Sequence, residues 1–311
     1  MLESDTCKSE VTVLGIFVAD TTFKAARMPK IGETLFGEQF YLSHGGKGSN
    51  QAVAASKAGA KTRIIAMLGN DQFAQMALEL WEESGVIASI TQYSDQNTGA
   101  AFVFVDSASK DNAIIVCPGV AETMTQELIT EKAHLISSSK IFLTQLETPI
   151  DVSGLGLKIA KNHDVITILN PAPATQIPKD IFSLCDYITP NETEAEFLTQ
   201  IKVTSIDTAA LAANKLREMG AKTAIITLGD LGVYFQGPDS SKHIPSFKFG
   251  PVLETTGAGD AFNGALAAGL SKGLPPLDAS RFGCAAAGIS VTRQGTAKSM
   301  PSFQEIMAAL N

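Results

Sequence analysis

The chain has 311 residues, of which 45% are hydrophobic and 18% charged, and its formal net charge is −8. This is an ordinary globular composition for one large or two smaller domains, and its acidic balance argues against non-specific nucleic-acid binding, which needs a basic face. An anionic small ligand stays open, because a glycine loop at a helix start binds phosphate without a side-chain cation.

The opening MLESDTCKSE is polar and does not read as a signal peptide. No apolar run reaches transmembrane length, so a cytoplasmic protein with no membrane partner is expected. Cys7, Cys117, Cys185 and Cys284 are widely spaced, without a CxxC pair, and are expected as reduced, buried thiols. The histidines show no metal-ligand spacing.

In chain order, VTVLGIFV (Val11 to Val18) predicts a first strand and GGKGSNQAVAASKAGA a glycine-rich entry into a helix. TRIIAML predicts a strand, and DQFAQMALELWEESG a helix ended by Gly85. Such alternation predicts a parallel α/β sheet. It breaks between about Ile90 and Pro118, where GAAFVFVD and NAIIVCP read as a hairpin joined by SASKD. With residues near Gly37 to Leu42 this hairpin makes a small separate sheet, a lid or a dimer surface. Alternation resumes in KIFLTQLE, VITILNPAPA, CDYITPNETEAE and KTAIITLGDLGV, each a strand ending in polar, Gly or Pro residues. The C-terminal part is mostly helical. The expected fold is α/β, a doubly wound sheet with a β insertion, and in such sheets ligands bind beyond the carboxyl ends of the strands.

Neither common phosphate motif is present. GGKGSN has the wrong order for a Walker loop, and GAGDAF has Phe262 where the dinucleotide fingerprint needs its third glycine. In TTGAGDAFNGAL, the backbone N–H groups of Thr256 to Gly259 can converge at a helix N-terminus as an anion hole. Asp260 can then take a proton from an attacking hydroxyl while the loop holds a phosphoryl group. The same residues also suit a simpler role, an aspartate favouring the helix dipole beside glycines needed for packing. In HGGKGSNQAVAA, Gly45, Gly46 and Gly48 bring bare backbone close to a ligand, and the Asn50 amide can both donate to and accept from a hydroxyl. A tight strand-to-helix turn is the alternative for these glycines.

These two loops, with NPAPA, TPNETEAE, TLGDLGV and SVTRQGTAKSMP in order between and after them, resemble the ribokinase-like (phosphofructokinase-B-type) carbohydrate kinase family, from about Val11 to Pro301. The resemblance implies a single Rossmann-like α/β domain over 1–311, with a β lid from segments near 18–43 and 90–118 that often forms a homodimer contact. It implies transfer of the ATP γ-phosphate, with Mg²⁺, to a sugar hydroxyl. The strings are most similar to the ribose-phosphorylating members, which act on the 5-hydroxyl.

By the same resemblance Asp260 is the catalytic base, and Gly257, Ala258 and Gly259 are the anion hole. Asp20, Gly45, Gly46, Asn50 and Glu147 hold the sugar. Asn191, Thr227, Gly229, Gly232 and Cys284 fall at nucleotide positions, although a buried thiol on a helix face also explains Cys284. Glu194 serves Mg²⁺ through water, while its spacing from Asn191 equally suits a helix capping box. Glu254, Thr256, Ser290, Arg293, Gly295 and Ser299 match a monovalent-cation (K⁺) site, with Glu254 in place of the usual aspartate.

Val18 departs from the ribose-phosphorylating pattern, which has an asparagine touching a sugar hydroxyl there. Leaving such a hydroxyl unpaired costs on the order of 1–3 kcal/mol. Deoxyribose-phosphorylating members carry an apolar residue at this position, so 2-deoxyribose, another small sugar or a nucleoside is the alternative substrate. A non-catalytic sugar or nucleotide sensor is the alternative of a different class, against which Asp260 and its intact glycines stand.

Overall fold

Short runs rich in Val, Ile and Thr form the strands, as their stiff branched side chains favour a pleated, buried surface. The computed structural model describes residues 10–109 and 111–311; Cys7 with the polar N-terminal stretch, and Lys110 in the hairpin loop, lie outside the described residues. The strands are β1 (Val11–Leu14), β2 (Val18–Ala25), β3 (Gln39–Gly45), β4 (Thr62–Gly69), β5 (Ile87–Tyr93), β6 (Thr98–Asp106) and β7 (Asn112–Gly119). They continue as β8 (Ile141–Thr144), β9 (Ile166–Leu169), β10 (Tyr187–Ile188), β11 (Thr223–Thr227), β12 (Val233–Gln236) and β13 (Ser241–Ile244).

One sheet has nine strands in the order β13-β12-β11-β10-β9-β8-β1-β4-β5. From β5 to β11 its neighbours are parallel, and β12 and β13 close one edge as an antiparallel hairpin. The chain winds outward in both directions from β1, so the order reverses between β1 and β8, the crevice where such sheets bind ligands. Alternate residues feed opposite faces: Val13, Ile64 and Leu143 join one apolar layer, and Leu14, Ile65 and Phe142 the other. Both faces are covered by helices, as a mostly parallel sheet requires.

The second sheet has the order β3-β2-β6-β7. It contains the expected hairpin, β6 with β7, but its boundaries differ from the expected ones. Ile90 belongs to β5, paired with Ala66 of β4 in the large sheet, so the second lid segment begins at Thr98 rather than near 90. The first segment runs from Val18 to Gly45 rather than to 43.

The expected single strand from Val11 to Val18 is two strands. At Gly15 a Cβ would stand 2.6 Å from the Gly48 Cα, so the chain touches the Lys47–Lys57 helix backbone there, leaves the large sheet and enters the lid. The β12–β13 hairpin was not expected: its short strands follow β11 after one tight turn and carry no helix signal between them. Cys185 and Cys284 are buried as expected, but Cys117 on β7 is exposed, because the lid strand that carries it has little packed against it. Among the described residues, no helix is long and apolar enough to cross a membrane.

Candidate active site

The site lies where the ends of β1, β8, β9 and β10 meet two helix N-termini. The first helix, Lys47–Lys57, starts after Gly46, whose φ is +86° and whose Cβ would lie 2.5 Å from the Ile16 carbonyl oxygen. No other residue type fits that turn. A Cβ at Gly45 would stand 2.5 Å from both Asp20 carboxylate oxygens, so the bare backbone leaves room for that carboxylate. Among the described residues no hydrogen bond reaches the Asp20 carboxylate; burial pushes its pKa up to about 6.

The second helix, Ala258–Ser271, starts after Gly257, in the left-handed region at φ +83°. Asp260 sits in its first turn, 7% exposed. Asp260 Oδ2 accepts from Asn50 Nδ2 at 3.0 Å, and Oδ1 from Gln51 Nε2 at 2.9 Å. These bonds exist because the two helices pack closely: a Cβ at Gly264 would stand 2.5 Å from the Gln51 carbonyl oxygen and from the Ala54 Cβ. The fold therefore joins the two glycine loops through the Asp260 carboxylate.

Charges converge here. Burial raises the Asp260 pKa; the Lys47 ammonium and the two amides pull it back down, without fully offsetting burial. Burial pulls Lys47 down, but Asp260, Glu147 and Glu194 outweigh it and hold its pKa above the ordinary lysine value. Glu147 accepts from the Lys47 backbone N–H at 2.7 Å, and burial pushes its carboxyl up to about 7.

A cavity of about 150 Å³ brings together Asn191, Glu194, Thr227, Gly257, Gly259 and Asp260 from the expected set. Lys47, Asn170, Ala172, Thr189 and Asn263 also line it. Lys47 stands inside GGKGSN, but nothing local in that string signals it; its acidic surroundings come only from distant segments. Asn191 and Glu194 do form a capping box on the Glu192–Thr199 helix, with bonds of 2.8 and 2.9 Å. That leaves the second Glu194 oxygen without a protein partner among the described residues. One such oxygen lining the cavity suits Mg²⁺, which keeps several waters and needs few protein carboxylates. No group of three or more His, Cys, Asp or Glu side chains suited to a metal occurs among the described residues.

Other expected residues stand apart from the cavity. Gly229 and Gly232 make the turn from β11 to β12, at φ +52° and +95°. A Cβ at Gly232 would meet the Ile244 carbonyl oxygen at 2.1 Å, so the turn alone requires that glycine. Cys284 packs in the apolar layer on the Pro276–Ser290 helix, where burial pushes its thiol up to about 12; it does not line the cavity.

The expected cation residues gather beside Gly257, whose Cβ would touch Thr296. Glu254 accepts from the Gly295 N–H at 2.8 Å. Arg293 pairs with Glu305 and reaches the Ser299 carbonyl at 3.5 Å. The Ser290 and Ser299 hydroxyls donate to the Ala287 and Thr296 carbonyls. Thr256 is exposed next to the helix start. Val18 packs with Ile16, Ala101 and Ala121 in a small apolar cluster, two residues from Asp20 and hence on the same strand face.

Comparison with known proteins agrees with this geometry. The family model described as pfkB family carbohydrate kinase matches residues 8–302. The chain is 38% identical to a ribokinase of Haemophilus influenzae over 304 residues, covering 97% of this chain and 99% of that protein. It is 32% identical over 298 residues to a deoxyribokinase of Salmonella typhimurium, covering 95% and 97%. The structure of Arabidopsis thaliana ribokinase complexed with ribose and ATP superposes with a TM-score of 0.94 at 27% identity, over 98% of this chain and 99% of that one.

Proposed function

The chain belongs to the pfkB family of carbohydrate kinases, and from that premise we propose that it transfers the γ-phosphate of ATP to the 5-hydroxyl of D-ribose, with Asp260 as the base. The observation that carries the reading is the buried Asp260 carboxylate at the start of the Ala258–Ser271 helix, gripped by amides of the loop that also holds Gly45 and Gly46. A buried aspartate tied to a glycine loop 210 residues earlier is not explained by helix capping alone.

The sugar would lie between Asp20, Asn50 and Glu147; the two carboxylates would accept from its hydroxyls, and the Asn50 carbonyl oxygen would accept another. Asp260 would accept the proton of the attacking hydroxyl as that oxygen bonds to the γ-phosphorus, and the bond from that phosphorus to the bridging oxygen would break to release ADP. The N–H groups at the Gly257–Gly259 turn and the Lys47 ammonium would stabilise charge on the transferred phosphoryl group. The nucleotide would extend from there past Asn191 and Thr227. Glu194 would hold Mg²⁺, which would neutralise charge on the phosphates. A monovalent cation would be held by Glu254 and the backbone of the 290–299 loop beside the anion hole. Replacing K⁺ by a bulky organic cation should lower the initial rate; an unchanged rate removes that part. The exposed Cys117 thiol suits the reducing cytoplasm.

The test of mechanism is Asp260→Asn. Turnover should fall at least about a hundredfold while calorimetry still detects sugar binding; near-normal turnover refutes the base assignment. A second reading, 2-deoxy-D-ribose as the preferred substrate, is favoured by Val18, which packs among apolar side chains and offers a sugar hydroxyl no partner. An ADP-release assay with both sugars at matched concentrations decides between them: the larger kcat/KM names the substrate.

A further inference from the structure

Asp260 hangs from a buried chain of amides that branches at Gln51, and Gln51 and Gln145 in that chain lie outside the cavity lining. Gln51 is fully buried and divides its two N–H donors between Asp260 Oδ1, at 2.9 Å, and Asn170 Oδ1, at 3.0 Å. Its own carbonyl accepts from Gln145 Nε2 at 2.6 Å. The Asn170 amide donates to the Thr189 carbonyl at 3.0 Å, and the Thr189 hydroxyl to Asn263 Oδ1 at 2.6 Å. Asn263 in turn donates to the Gly259 carbonyl at 2.8 Å. A continuous path thus runs from Gln145, just past β8, through Gln51, which also holds Asp260, to the turn expected to hold the phosphoryl group.

The path has a direction. A carboxylate only accepts, so Gln51 must present N–H to Asp260, which turns its carbonyl toward Gln145. Gln145 must then present its own N–H to Gln51, and its carbonyl oxygen is left buried without a partner. A buried orphan acceptor is costly. Its presence here follows from the demand made at the other end of the path.

We propose that Gln51, oriented by Gln145, is the positioning residue that fixes the Asp260 carboxylate relative to the Gly257–Gly259 turn. Asn50 grips the other carboxylate oxygen, so losing Gln51 frees the group to rotate about a single remaining bond. Reaction rate depends steeply on such alignment. The ionised form also loses one donor while burial still opposes it, and Lys47, Glu147 and Glu194 remain the charged groups around it.

This inference rests on Asp260 being the base, and the experiment separates the two. Gln51→Met keeps the shape and removes both donors. It should lower kcat about tenfold to a hundredfold, leave KM for sugar and ATP within about threefold, and shift the acidic limb of the kcat profile to higher pH. Gln145→Met touches neither Asp260 nor the cavity; it should lower kcat by a smaller factor, and the double variant should be no slower than Gln51→Met alone. If Gln51→Met does not fold, Gln145→Met carries the test through its kcat and pH profile. Unchanged kcat and pH profile in these variants, with Asp260→Asn inactive, overturns the positioning role alone. An active Asp260→Asn overturns the base and the inference together. Equal, additive losses from the two glutamines also overturn it, because Gln145 would then act independently of Gln51.

Discussion

Two carboxylates in the site are held partly protonated near neutral pH, and this makes binding and stability respond to pH in opposite ways. Burial lifts Asp20 from 3.8 to about 6 and Glu147 from 4.5 to about 7. A sugar hydroxyl donates best to the ionised form of Asp20, so sugar KM should rise roughly tenfold from pH 7 to pH 5 as that group takes up its proton. Asp20→Asn should give a high KM with little pH dependence. A wild-type KM that is flat over this range would remove Asp20 from the sugar site. For folding the sign reverses. The folded state holds these protons more tightly than the unfolded state, so their contribution to ligand-free stability is fully present below the unfolded pKa values and is lost as pH rises through about 6 and 7. Thermal melts of the ligand-free protein should therefore drop between pH 5 and pH 8. Glu147→Gln should flatten that drop, and an equally steep drop in the variant would exclude Glu147 as its source.

At the scale of the element, neighbouring glycines in one turn have different reasons to be glycine. Gly257 is left-handed, and a Cβ there would press on Thr296 at 3.3 Å, so the chain path itself requires it. Gly259 has nothing within 4 Å of its Cβ position and ordinary helical geometry. Its empty space is open to a ligand. Gly259→Ala should melt at or slightly above the wild-type temperature, since alanine favours a helix, while kcat/KM for ATP falls at least about tenfold. Gly48→Ala makes the contrast: its Cβ would meet the Gly15 Cα at 2.6 Å, backbone against backbone, and should destabilise by about 1–3 kcal/mol. Wild-type ATP kinetics in Gly259→Ala would remove the close phosphate approach. The turn, the loop and the strand ends were all legible in sequence, because glycine spacing and apolar alternation are local signals. What was not legible depends on distant chain segments meeting. Lys47 gains its role only where Glu147, Glu194 and Asp260 surround it, and Gln51 only where two helices approach at Gly264. The break at Gly15 is likewise set by Gly48, a residue on another element.

The molecule as a whole leaves its lid with an uncovered apolar face. Strand register puts Phe23, Phe40, Leu42, Phe102 and Ile115 on the side of the small sheet opposite Asp20. The Phe23 ring lies 5.0 Å from Phe40 and 5.7 Å from Phe102. Phe40 and Ile115 are about 60% exposed, at 60% and 61%. Contiguous exposed apolar surface of this kind marks an interaction site more often than it marks free surface. A second copy of the chain is the occupant we propose, because two such faces are self-complementary about a two-fold axis. Light scattering of the wild type should give twice the mass of the chain. Ile115→Glu places a charge in the exposed apolar patch and should give a monomer with a nearly unchanged melting temperature for the large α/β body. If pairing also steadies the lid over the sugar, that variant should raise sugar KM several-fold and leave ATP KM close to wild type, because the lid carries Asp20 and no proposed nucleotide residue. A wild type that stays monomeric at working concentration excludes the dimer. A dimer that survives Ile115→Glu places the interface elsewhere on the surface.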